Sequence, residues 1–141
     1  GTDIMYPVLK EIQKKYPDQC RITEAIDAPY AIYQKLMDDA DVQLDQLYSY
    51  TPSMNSLLAM AKGVIVLGGG EEENYEIINE KELRPIINVY PSEEDIFQKL
   101  EYIVLNKERI PELSAQSIEY VRKHHNYVKV AQQYVDFWEA H

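Results

Sequence analysis

The chain has 141 residues, 45% of them hydrophobic and 27% charged, a balance that fits one globular domain and excludes a disordered segment. Fourteen basic against 24 acidic residues give a net charge of -10, which leaves no Lys/Arg stripe for a nucleic-acid backbone and disfavours acidic lipid. No apolar run approaches the ~20 residues that span a bilayer, so an integral membrane protein is not expected. The lone Cys20 permits no internal disulfide, and with no signal peptide evident the simplest setting is reducing and cytoplasmic.

In chain order, the first helix is predicted over 3–16. Met5, Val8, Leu9 and Ile12 share one face, Pro17 and Asp18 stop the helix, and Pro7 leaves its start uncertain by several residues. Residues 20–26 read as a strand. Asp27 is placed to cap a second helix, with Pro29 in its first turn and Tyr33, Leu36, Met37 and Ala40 inward. Residues 42–47 form the next predicted strand. A third helix follows, with Thr51 as N-cap, Pro52 at N1, an apolar face of Met54, Leu57, Leu58 and Ala61, and Gly63 past its end. Residues 64–67 are a short apolar run of the buried parallel type. Three glycines, a helix over about 72–80 and a last strand over 85–89 come next. Ser92 caps a helix carrying Ile96, Leu100, Ile103 and Val104, with Asp95 placed like a capping-box acid. Two helices, near 111–124 and 127–140, finish the chain. The last presents Tyr127, Val130, Ala131, Tyr134 and Trp138 on one side.

Alternating helices and strands imply an α/β fold, a parallel sheet with right-handed crossovers and helices on both faces. Such a sheet normally opens on a strand, whereas this chain opens on a helix. The expectation is therefore that the first strand is missing and that residues 1–141 are a single domain from a larger protein.

Ligands of such sheets bind beyond the carboxyl ends of the strands. Three loops open there: 27–29, 46–55 and 68–73. The N–H groups of Ser53, Met54 and Asn55 at a helix start suit an anion, with Thr51, Ser53 and Asn55 adding side-chain bonds; an ordinary capped helix is the plainer reading. Gly68, Gly69 and Gly70 allow close approach of a ligand or of another backbone. They match neither a Walker loop nor the spaced dinucleotide fingerprint. Glu71, Glu72 and Glu73 repel phosphate there and favour hydroxyl groups such as those of a sugar. Asp38, Asp39 and Asp41 suggest a metal site only faintly against a solvated loop. His124 and His125 cannot share a helix face, and helix-end capping is their plainer role.

The stretch Ala40-Asp41-Val42-Gln43-Leu44-Asp45-Gln46-Leu47-Tyr48, followed by residues 51–66 with their Leu58-Ala59-Met60-Ala61-Lys62-Gly63 core, resembles the donor-binding half of GT-B glycosyltransferases of the group 1 (family 4) type. Gly1-Thr2-Asp3 and Tyr75-Glu76-Ile77-Ile78 are similar to further elements of that family. The resemblance implies a Rossmann-like domain, a C-terminal fragment of a two-domain protein, which binds a nucleotide-sugar and passes its sugar to an unknown acceptor. It implies the diphosphate at Thr51, Pro52, Ser53, Met54 and Asn55, and the nucleoside at Ile26, Asp27 and Ala28. The sugar is expected to face Gly68, Gly69, Gly70 and Glu76. No metal or cofactor is implied, and no catalytic residue is identified. The partner is the chain's own N-terminal domain, which the last helix would meet; the full-length protein is cytoplasmic or peripheral to the membrane.

Two glutamates that the family carries eight residues apart fall here on Tyr50 and Leu58. This leaves a non-catalytic GT-B-like interaction module as the alternative, and the fragment alone is expected to be inactive. A receiver-like domain with Asp45 as phosphoacceptor is a remoter rival, because it lacks the acidic pair that such a site requires.

Overall fold

A computed structural model of the chain describes residues 1–140. The element order is α1 (Thr2–Lys15), α2 (Tyr30–Asp38), β1 (Val42–Leu44), α3 (Met54–Ala61), β2 (Ile65–Leu67), α4 (Glu72–Ile77), α5 (Glu93–Leu105), α6 (Ile110–His124) and α7 (Tyr127–Ala140). A 3-10 turn over Lys107–Arg109 leads into α6.

β1 and β2 pair in parallel, with Val42 opposite Ile65 and Leu44 opposite Leu67. The ladder runs one residue past β1, where the Asp45 N–H donates to Leu67 O at 2.7 Å. On the other side of β2, Ile87 forms a single parallel bridge to Leu67, donating to Val66 O and accepting from Gly68 N–H. The last predicted strand is thus reduced to one bridge. Pro85 has no N–H to give, and only Ile87 aligns with β2.

The other predicted strand, 20–26, is not one. Among the described residues nothing pairs with it, and Arg21, Thr23, Glu24 and Ile26 are exposed. Its apolar pattern was short, and a run of this length without a ladder partner does not hold an extended pairing. Cys20 is half-buried, its thiol near Tyr16 O at 3.5 Å.

The core divides with the alternation of β2. Ile65 and Leu67 join Val8 and Ile12 of α1 and Ile96, Leu100 and Ile103 of α5. Val66, pointing the other way, joins Met37 of α2, Ala59 and Met60 of α3, Tyr75 of α4 and Tyr120 of α6. α1 runs against α5, where Glu101 accepts from both Lys15 Nζ at 2.6 Å and Tyr16 Oη at 2.5 Å. α1 continues through Pro7, whose missing N–H costs a helical bond that the burial of Val8 and Ile12 offsets.

α5 starts as the sequence indicated. Ser92 Oγ accepts from Asp95 N–H, and Asp95 reaches back, to Tyr90 N–H rather than to Ser92. α3 is rotated from its predicted face: Ser56, Ala59 and Met60 are buried, while Met54, Leu58 and Ala61 are exposed. α7 buries none of its residues, so Tyr127, Tyr134 and Trp138 face solvent. No helix among the described residues is long and apolar enough to cross a membrane.

Candidate functional site

An open cleft of about 460 Å³ lies at the carboxyl end of β1. Its walls are Gly1, Thr2 and Met5 from the start of α1, residues 43–48 from β1 and the loop leaving it, and Asn55 from the first turn of α3. Asp45 carries the only charged side chain among these residues.

Asp45 organises the neighbouring helix start. One carboxylate oxygen accepts from the Ser53 N–H at 3.0 Å and the other from the Ser53 hydroxyl at 3.0 Å. The same hydroxyl accepts from the Ser56 N–H at 3.1 Å, which makes Ser53 the N-cap of α3. Only 9% of Asp45 is exposed. The cap predicted at Thr51 therefore moves to Ser53. Thr51 lies before the helix, with its carbonyl accepting from Ser49 Oγ at 2.8 Å. The exposed rim belongs to Met54 and Asn55, and Asn55 Oδ1 accepts from Tyr33 Oη of α2 at 2.6 Å. Tyr33 and Asn55 thereby lock the orientation of an amide that faces the cleft.

The three glycines close against protein. A Cβ on Gly68 would fall 2.9 Å from Gln46 O, and one on Gly69 would fall 2.7 Å from Thr51 O. Both have positive φ. Of the two openings that glycine permits, the structure uses close approach to another backbone, and this fixes the 46–52 loop that borders the cleft. Gly70 meets the Ile86 side chain instead.

Ile26 and Asp27 are exposed, Ala28 is half-buried, and Asp27 has φ +48. None of the three lines the β1 cleft. Glu76 is exposed on α4 and lines a separate hollow of about 260 Å³ with Tyr75, Asn79, Glu80 and Arg84. Of the predicted site residues, then, the structure brings Asn55 to the cleft and Ser53 to its charged residue. Thr51, Pro52 and Met54 do not line the cleft, nor do Glu76, the glycines and residues 26–28. Sequence reading placed Gln46 and Tyr48 only within the loop 46–55 at this edge and did not single out Gln43 or Tyr33. The signal for the first three was their place at the carboxyl end of β1.

The second hollow is built on ion pairs. Arg84 donates two bonds to Glu72, at 2.6 and 2.7 Å, and its guanidinium lies over the Tyr75 ring at 4.7 Å. That pairing lowers the Glu72 carboxyl and raises Arg84. Glu80 is buried and accepts from Lys123 Nζ at 2.5 Å, His124 Nε2 at 2.6 Å and the N–H groups of Glu82 and Leu83, each at 3.0 Å. The Lys123 ammonium first, then these further donors, hold its carboxyl far below the ordinary range. His124 thus closes the end of α6 onto Glu80. Burial and the nearby His124 lower the neighbouring His125. Among the described residues no group of three or more His, Cys, Asp or Glu gathers as a metal cluster would.

Comparison with curated proteins and with solved structures found no match. A family model described as glycosyl transferase-like matches residues 7–136, a span that takes in β1, β2, the second hollow, helices α2 to α6 entire and the β1 cleft except for Gly1, Thr2 and Met5. On that match the chain belongs to the glycosyl transferase-like family.

Proposed function

We propose that this chain is the donor-binding, C-terminal domain of a GT-B glycosyltransferase of the group 1 (family 4) type. In this reading it is a Rossmann-like sheet with helices on both faces, and an N-terminal domain completes the acceptor side. Family membership gives the general role, glycosyl transfer. The division of β2 into two helix-backed clusters supports the layered sheet.

One observation carries the donor assignment: the β1 cleft opens at the carboxyl end of a parallel strand, beside the exposed first turn of α3. Parallel α/β sheets take phosphorylated ligands at such a place. The Met54 and Asn55 N–H groups meet the diphosphate of a nucleotide-sugar, where the helix dipole favours charge that develops on the leaving group. Gln43, Gln46 and the exposed Tyr48 offer amide and aromatic surface to its sugar or base. No metal enters the proposed step.

Calorimetric titration of the full-length protein with UDP-, GDP- and ADP-sugars tests the reading. Saturable binding of one donor, together with transfer of its sugar, is the expected result. Capture of a protein partner with no nucleotide-sugar bound at millimolar concentration refutes the donor site. It would leave a GT-B-like interaction module, to which Tyr50 and Leu58 at the family's glutamate positions already lend weight.

A further inference from the structure

We propose that the corner between α6 and α7 is an acid-sensitive joint, in which a proton taken up by His125 loosens the corner and frees α7. The joint lies apart from the β1 cleft, and its behaviour does not depend on what that cleft binds. His125 and Asn126 form the corner, between the last residue of α6 and the first of α7. The His125 N–H closes α6 on Val121 O at 2.8 Å. Asn126 opens α7, its Oδ1 accepting from the N–H groups of Val128 at 3.1 Å and Lys129 at 3.3 Å. α7 buries none of its residues, so this corner is the main constraint on its direction. The corner meets the core through a ring: His125 lies against the fully buried Tyr120, centroids 5.6 Å apart, and His124 lies against the same ring at 5.3 Å.

The carbonyl end of α6 favours a cation near either ring, so their neighbours separate the two histidines. His124 Nε2 meets Glu80 Oε2 at 2.6 Å, where a proton has an acceptor. His125 Nε2 is buried and has no hydrogen-bond partner. The titratable groups around it are the Tyr120 phenol and the His124 imidazole of α6 and, beyond them, Glu80 from the segment after α4 with Lys123 on the same oxygen. Glu80 is already committed: Oε2 to Lys123 and His124, Oε1 to the N–H groups of Glu82 and Leu83. A neutral imidazole suits this place, because its proton can sit on Nδ1 and leave Nε2 bare. An imidazolium does not, since it sets a buried N–H against no acceptor and adds a charge beside His124. Burial first, then the nearby His124, hold the His125 imidazole below its ordinary value of 6.5. The closed corner thus favours the neutral ring. It is fully held above 6.5 and weakens as pH falls below that value, when the ring leaves Tyr120 for water and α7 turns about Asn126.

Trp138, the only tryptophan, rides on α7, so time-resolved anisotropy of its emission in the intact chain reads the joint. Between about pH 7.5 and about pH 5.5, a range that spans imidazole titration and spares most carboxylates, the share of fast local motion is expected to rise about twofold or more. His125→Phe keeps a ring against Tyr120 and cannot take a proton, so its anisotropy is expected to stay flat over that range, with circular dichroism confirming the fold. No response in wild type, or a response of wild-type size in folded His125→Phe, overturns the proposal. Should His125→Phe fail to fold, NMR titration of wild type decides. The His125 ring is expected to titrate below 6.5, with the amides of residues 126–129 following its curve. A His125 ring that titrates at or above 6.5, or amides of α7 that do not follow it, overturns the proposal as well.

Discussion

Replacing Glu80 by alanine should destabilise the chain more than any other change of a surface-connected carboxylate. Its side chain is buried and gathers four donors, two of them backbone N–H groups of Glu82 and Leu83 at 3.0 Å. The other two, Lys123 and His124, bring the end of α6 onto the segment after α4. Truncation leaves two amides and a half-buried imidazole without their acceptor. Lys123 is half exposed and returns to water, so the cost is that of the unpaired buried amides and imidazole, about 2–3 kcal/mol, which for a domain of this size lowers Tm by roughly 6–10 °C. Glu80→Gln keeps one oxygen for the amides and loses the charge facing Lys123 and His124, so a loss of about half that size is expected. The pH dependence has a fixed sign. The folded carboxyl lies below the ordinary value of 4.5, so the folded state resists its protonation. The stabilisation is full above that value and is lost as pH falls below it. Urea unfolding followed by circular dichroism at pH 7 and again below pH 4 measures both effects. A Glu80→Ala loss under about 1 kcal/mol at pH 7, or a difference from wild type that does not shrink in acid, refutes the reasoning.

Two other outcomes follow from local geometry. Gly69→Ala places a Cβ 2.7 Å from Thr51 O at φ +71, where neither the backbone nor the angle can yield cheaply. A loss of about 2–3 kcal/mol is expected, and Tm read by differential scanning calorimetry within about 2 °C of wild type would contradict it. Trp138 is the only tryptophan and is 69% exposed on α7. Its emission in the isolated chain should be red-shifted and readily quenched by iodide, and a blue-shifted, protected emission would show that α7 is covered.

Part of the helical framework was legible because several helices carry their own punctuation, whereas α2 starts after Pro29 with no side-chain cap and not at Asp27. Ser92 with Asp95, Pro111 at the start of α6, and Pro17 after α1 act within a turn or two of themselves. The strands were less legible, since a strand is stable only through a partner distant in sequence. Residues 20–26 and 85–89 have β-like composition, yet the first pairs with nothing described and the second only at Ile87. The apolar face of α3 was misjudged for a related reason. Ser56 is buried there because its N–H and hydroxyl serve the cap, while Met54 is left in solvent. Periodicity alone cannot anticipate a polar residue facing inward. The glycines were read with both of their options open, and the choice depended on where residues 46–52 lie, which no local pattern encodes.

The helix start shows the same dependence most sharply, and there it bears on function. Ser49, Thr51 and Ser53 are all acceptable caps by composition, and Pro52 after Thr51 favours Thr51. Asp45 decides among them. It ends the β1 ladder, held by its N–H on Leu67 O, and from that fixed point its carboxylate reaches the N–H and hydroxyl of Ser53 together. A cap at Thr51 would start α3 two residues earlier and forgo both bonds. The strand therefore sets the first residue of the helix, and with it the turn that Asn55 presents to the cleft.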